Sequence, residues 1–248
     1  MCPPFALTDG TKEAPTRDPL DPLGPAKDAA EGRLLRLLRG RLNGQLDAVM
    51  EALGDPPNLN NLTPEFWETE AGKMLATVRP EIEAMAAEAA RAVSATVPLV
   101  WDETVIAREA VEWARQYAYQ LISGINANTV ALLRRVIPAF ISTPGMTIGD
   151  LRRELTPAFG ERRAQTIAVT ETTRAFEEGH RTIQRELARG GLKRVRQWVA
   201  AGDEKVCELC GPETGLDGKT EDQWVGTDGP PLHPGCRCWT VLVKPEAP

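Results

Sequence analysis

Apolar residues recur three and four positions apart along most of this chain, a spacing that gathers them on one face of an α-helix. The segments with this spacing are 28–53, 64–80, 81–96, 102–122, 128–141, 147–159 and 161–188. Short stretches rich in proline, glycine or asparagine separate most of them. The pattern predicts a mainly helical protein in which an elongated N-terminal helical bundle precedes one long helix.

Capping residues mark several of these helix starts. Thr63 stands before a proline, Asp102 before the fourth segment, and Thr147 is followed three positions later by Asp150. Pro80 lacks the N–H group that a helix interior uses, so we expect it to kink or divide the helix around it.

Three aromatic residues of the 102–122 segment, Trp113, Tyr117 and Tyr119, suggest either a cofactor site or core packing. We expect them to anchor the core, because large aromatic side chains bury more apolar surface than most others.

The C-terminal part of the chain has a different pattern. Residues 193–200 alternate imperfectly between apolar and polar side chains, and residues 239–243 are mostly apolar, so both are predicted strands. Gly190 and Gly191 end the long helix that precedes them. The predicted fold class is therefore mainly α, with a small β-sheet in a C-terminal α+β domain.

Three regions follow from these patterns. Residues 1–27 contain six prolines and few apolar residues, which predicts a disordered or extended arm. Residues 28–155 form the predicted helical domain and residues 156–248 the C-terminal domain. With 248 residues, 42% of them hydrophobic and 26% charged, the chain is long and apolar enough to bury a core.

The charge balance limits the classes of partner. A formal net charge of −6 argues against coating nucleic acid along the whole surface, so any DNA contact must be local. No apolar run is long enough to span a membrane, and no secretory signal precedes the first helix. We therefore expect a soluble, non-secreted protein with no membrane partner.

The cysteines are distributed unevenly. Cys2 is solitary, whereas Cys207, Cys210, Cys236 and Cys238 lie close together near the C-terminus. In a reducing compartment, this clustering favours a metal over disulfides. Paired or redox-active thiols and unligated buried cysteines remain the alternatives.

Zinc is the metal that this set of side chains favours. A Cys-x2-Cys turn, Cys207 to Cys210, presents two thiolates to one ion, and Cys236 and Cys238 alternate on one face of an incoming strand. His233 is the competing donor. Five candidates for four tetrahedral positions predict a closed, structural site holding one zinc per chain rather than a catalytic zinc with an open position.

The residue order of the C-terminal part resembles that of a known family. The residues that carry the resemblance are Arg163, Ile167, Ala168, Thr170, Glu171, Arg174, Ala175, Gly179, Trp198, Asp203, Cys207, Cys210, Gly218, Pro230, Pro231, His233, Pro234, Cys236, Arg237 and Cys238. This order, over about residues 150–245, resembles the phage Mu F-like head morphogenesis domain, which occurs in minor head proteins.

The resemblance implies a structural protein, not an enzyme, of a tailed bacteriophage or a phage-derived particle. Such a protein binds the portal protein inside the capsid, in multiple copies around the portal, and aids assembly and DNA packaging or delivery. The implied location is the virion, in the capsid interior near the portal vertex, with the host cytoplasm during assembly. The major capsid protein and packaged double-stranded DNA are further implied partners.

Several alternatives stay open. A metal-dependent nuclease or toxin-like effector delivered with the DNA would need His180 or Glu171 beside a metal-bound water. The basic segment 162–196 is the best candidate for a DNA contact, and otherwise a solvated helix face. Thr170, Glu171 and Arg174 either lock the long helix onto the zinc domain or face a site.

Overall fold

A computed structural model describes residues 21–97, 102–199, 209–214, 218–224 and 226–245. The helices are α1 (Gly24–Leu53), α2 (Pro64–Ser94), α3 (Glu103–Ile141), α4 (Ile148–Phe159), α5 (Glu161–Arg189) and the single turn α6 (Gly211–Thr214). The strands are β1 (Val195–Val199) and β2 (Trp239–Val243). Helices account for 72% of this structure, so its mainly helical class is confirmed.

The large core is built around α2 and α5. Helix α2 packs against α1, α3 and α5, and α5 also contacts α1 and β2. Close approach of α2 and α5 depends on small residues, since a Cβ atom at Gly179 would lie 2.9 Å from the carbonyl carbon of Ala89. Apolar side chains from α1 to α5 form one continuous cluster. The domain boundaries at residues 27 and 155 stay predictions.

The predicted helix caps are confirmed. The Thr63 side chain accepts a hydrogen bond from the Phe66 N–H, and Asp102 accepts bonds from two N–H groups of the first turn of α3. Thr147 and Asp150 form a reciprocal capping box at the start of α4. Each cap satisfies backbone donors that a helix start leaves unpaired.

Two predicted interruptions do not occur: the gap at residues 122–128, and a division at Pro80, for which a kink was the alternative prediction. Helix α3 runs unbroken through residues 122–128, where the sequence predicted a gap between two helices. Long-range bonds hold this stretch, because Gln45 donates to Asn126 at 3.0 Å and Arg163 donates to the Ile125 carbonyl at 2.8 Å. Helix α2 is likewise not divided at Pro80, and the buried side chains of Val78 and Ile82 flank the proline in the core.

The prediction of three aromatic core anchors is only partly correct. Trp113 and Tyr117 are partly buried and stack with ring centroids 5.0 Å apart. Tyr119 is 62% exposed, so its prediction is wrong. Two positions after Tyr117 on a helix, its side chain points away from the core.

The sheet contains β1 and β2 in antiparallel order, with Val195 opposite Val243 and Val199 opposite Trp239. Strand β2 has its predicted bounds, and β1 is shorter than the predicted 193–200. Glu177 on α5 binds β2. Its carboxylate accepts hydrogen bonds from the Thr240 N–H at 3.0 Å and from the Thr240 hydroxyl at 2.7 Å.

A buried ion pair ties the start of α1 to this sheet. The Lys27 ammonium lies 2.7 Å from Asp21 and stands 5.6 Å from the ring centroids of both Phe176 and Trp239. Its charge is therefore paired and also faces two aromatic rings, which compensates its removal from water.

Candidate metal centre

Three potential metal ligands meet beside β2. One ligand atom each from Cys210, His233 and Cys236 lies within 4.8 Å of the others. Cys210 comes just before α6, and a tight turn brings Cys236 back to His233, whose carbonyl accepts the Cys236 N–H at 3.1 Å. Cys207, the fifth predicted ligand, lies outside the described residues.

The separation of two sulfurs fits a shared metal ion. Cys210 Sγ and Cys236 Sγ are 3.8 Å apart. A tetrahedral zinc with Zn–S distances of about 2.3 Å sets its sulfurs about 3.8 Å apart. A disulfide requires about 2.05 Å. The donor set and the spacing therefore suit a metal ion.

Cys238 belongs to the same group of thiols. Hydrogen bonding to Cys210 lowers the pKa of Cys238, but hydrogen bonding to Cys236 and burial outweigh that effect and raise the pKa to about 12. Hydrogen bonds from Cys210 and Cys238 lower the pKa of Cys236 far below its usual range. The lowered pKa favours the thiolate form of Cys236, which is the form that binds a metal.

Trp198 completes the surroundings of these sulfurs. It is buried with Cys210, Cys236 and Trp224 in a second small core. Its indole nitrogen has no conventional hydrogen-bond partner, and the ring lies beside Cys238, whose pKa it lowers. An indole N–H facing a sulfur stabilises a thiolate. The position of this N–H beside Cys238 is a second feature that suits a metal-bound cysteine.

Helix α5 holds the turn that carries Cys236. The Thr173 hydroxyl donates to the Cys236 carbonyl at 2.8 Å, and the Gly235 N–H donates to the Thr170 hydroxyl at 2.9 Å. Thr170 therefore locks the helix onto this turn. Sequence reasoning missed Thr173, whose position one turn after Thr170 on the same face was the available signal.

Arg237 connects the turn to α1. Its guanidinium makes two hydrogen bonds to Glu31, at 2.7 and 2.9 Å, and Gln165 of α5 donates to the same carboxylate at 2.6 Å. Both charged side chains are nearly buried. Sequence reasoning missed Glu31, because nothing local indicates a partner 206 residues away.

Glycine is required close to these thiols. Gly218 has a φ of +72°, and a Cβ atom there would lie 2.2 Å from the Trp198 carbonyl oxygen. Several positions that carried the sequence resemblance, among them Thr170, Gly218 and Cys236, thus belong to the thiol group, its turn or the close contacts around them. Residues 140–241 match the family model of the Phage Mu protein F like protein.

The resemblance predicted from the sequence is confirmed for this segment. The Mu F-like segment runs from the end of α3 to β2, so it includes α5 and all of the described thiols. This family suggests a phage head morphogenesis protein. No curated protein and no solved structure matches the chain. Among the described helices, none is both long and apolar enough to cross a membrane.

His180 and Glu171, the two side chains that a nuclease would need, are not part of the described group of potential metal ligands. His180 is 5% exposed, and its Nδ1 atom lies 3.1 Å from the Phe176 carbonyl oxygen. Burial lowers the pKa of His180 and thus favours its neutral form. Glu171 instead lines a cavity between α3 and α5.

Most of the described basic side chains of the Mu F-like segment form ion pairs or hydrogen bonds with other residues of this chain. Arg181 and Arg185 pair with Glu178, and Arg189 pairs with Glu109. Burial lowers the pKa of Arg163 to about 10, and carbonyl oxygens surround its guanidinium. These interactions contribute to the stability of the fold. They leave fewer basic side chains available to contact phosphate.

Proposed function

We propose that this chain is a minor head protein of a tailed bacteriophage or phage-derived particle. In this proposal it binds the portal protein inside the capsid and aids assembly and DNA packaging or delivery. The observation that carries the proposal is the family match over residues 140–241. The family is generally non-enzymatic, which supports a structural role.

One structural zinc per chain is part of the proposal. Four of the five candidates, Cys207, Cys210, His233, Cys236 and Cys238, would hold it. The 3.8 Å sulfur separation and the nearby histidine support zinc. Because Thr170, Thr173 and Glu31 bind the same turn, the metal would fix this turn against α5 and α1.

The portal contact, several copies around the portal, and a location inside the head near the portal vertex are parts of the same proposal. The major capsid protein and packaged double-stranded DNA are further proposed partners. The ion pairs of Arg181, Arg185 and Arg189 reduce the number of basic side chains that segment 162–196 offers to DNA.

A metal-dependent nuclease or toxin-like effector is the competing proposal. It requires a general base beside a metal-bound water. The buried position of His180 and its contact with the Phe176 carbonyl weigh against that role. The structural proposal therefore has the stronger support.

The proposal is tested with heads assembled from co-expressed head genes of the same genome, with and without the portal gene. We expect the full-length chain to co-sediment only with heads that contain the portal, and in fewer copies than the major capsid protein. Absence from both kinds of head, or equal incorporation into both, would contradict portal binding. The full-length chain is used because deleting α1 and α2 would expose the apolar face of α5.

A further inference from the structure

A cavity of about 270 Å³ lies between α3 and α5, next to the turn that carries the thiols. Its lining includes Tyr117, Leu121 and Gly124 from α3, Ile167 and Glu171 from α5, and Pro234 from the turn. Its walls are mostly apolar, and Glu171 is the only charged residue that lines it in the described part of the chain.

The Glu171 carboxylate is incompletely satisfied. The residue is 5% exposed, and its Oε2 atom accepts no hydrogen bond. The Nε atom of Arg174 is 3.6 Å away, which is an ion-pair contact but too long for a hydrogen bond. Burial raises the pKa of Glu171, and the Arg174 charge and the Tyr117 hydroxyl oppose only part of that shift. A buried acceptor of this kind gains from a further donor.

The α3 wall of the cavity contains the stretch that sequence reasoning predicted to be a break. Residues 123–128 include a glycine, a serine and two asparagines, all weak helix formers. Gly124 has no steric reason to be glycine, because a Cβ atom there would meet nothing within 4 Å. A larger side chain at this position would enter open space at the cavity. Local disagreement between sequence and structure is typical of functional sites.

The size and chemistry of the cavity suit one side chain. At about 270 Å³, the cavity is smaller than most small-molecule sites, which usually enclose about 300–1,000 Å³. Apolar walls around one acidic group match an aliphatic stem that ends in a cation. Arginine is among the side chains that most often anchor protein interfaces in such pockets. We propose that this cavity receives an arginine or lysine side chain from another protein of the same head. The identity of that partner rests on the proposed function.

The test uses the whole chain as purified and Nα-acetyl-arginine methylamide as the probe. Binding is followed by the backbone amide signals of Gly124 and Ile167 in nitrogen-15 TROSY spectra. We expect saturable shifts at millimolar probe, and a Kd at least tenfold higher for Nα-acetyl-norleucine methylamide, which has an aliphatic side chain without the cation.

Two variants and one control assign the binding to this cavity. Gly124→Leu should fill the cavity and abolish the shifts at Ile167, and Glu171→Gln should raise the Kd at least tenfold. Gly72→Leu is the matched control, because Gly72 is also an exposed helical glycine with nothing within 4 Å of its Cβ position. It should bind the probe as the wild type does.

The proposal would be overturned by the absence of saturable shifts, or by unchanged binding in either Gly124→Leu or Glu171→Gln. This outcome is separable from the head experiment. A chain that enters heads but does not bind the probe refutes the cavity proposal alone, and a chain that binds the probe but never enters heads refutes the proposed function alone.

Discussion

Replacing Gly179 with alanine should destabilise the chain, although alanine is the better helix former. The new Cβ atom would lie 2.9 Å from the Ala89 carbonyl carbon and 3.1 Å from both its oxygen and the Ala90 nitrogen. These are backbone atoms of α2 and cannot rotate away, so α2 and α5 must separate. Overpacking of this kind costs about 1–3 kcal/mol, while glycine to alanine in a helix gains about 0.5–1 kcal/mol. We expect a net loss of about 1–2 kcal/mol.

Urea denaturation followed by circular dichroism measures this loss. The matched control is Gly72→Ala in α2, where a Cβ atom meets nothing within 4 Å. The control should gain about 0.5–1 kcal/mol, because only the helix propensity changes. If Gly179→Ala proved as stable as Gly72→Ala, the close packing of α2 on α5 would be refuted, and with it the physical reason for glycine at this position.

Two further substitutions test buried charges. Glu31→Gln should cost about 3 kcal/mol, because Arg237 loses its buried anionic partner, whereas Glu161→Gln should cost under about 1 kcal/mol, since the Glu161 pair with Arg39 is exposed. Equal losses in urea denaturation would contradict the role of Arg237. Glu171→Gln should raise the melting temperature more at pH 7.5 than at pH 4.5. The pKa of Glu171 is higher in the folded chain than in the unfolded chain. Its contribution to the free energy of unfolding is therefore complete below the unfolded pKa and is lost as the pH rises through the folded pKa. Replacing the carboxyl group thus helps more at the higher pH. A gain independent of pH would refute this assignment.

Local signals were sufficient to predict much of the fold. The caps at Thr63, Asp102 and Thr147 and the end of α5 depend on neighbours within a few residues, and a run of mostly apolar residues marked β2. The cysteine spacing likewise indicated the region of the candidate metal centre. Of the predicted ligands, Cys210, His233 and Cys236 lie within 4.8 Å of one another, Cys238 interacts with the two thiols of that group, and Cys207 lies outside the described residues.

Features that depend on distant partners were not predictable from the sequence. The 123–128 stretch of α3 looks like a break, and it stays helical because Gln45 and Arg163 bind it from other helices. The role of Glu31 becomes visible only when the fold brings it to Arg237.

Native mass spectrometry of the purified chain, before and after chelation, tests the candidate metal centre most directly. Free thiols titrated in denaturant complete the measurement. One zinc per chain, with the clustered thiols released only on chelation and a 3.8 Å sulfur separation retained in an experimental structure, is the expected result. A chain without metal whose cysteines form disulfides would contradict the structural zinc and the role assigned to the turn at His233 to Cys238.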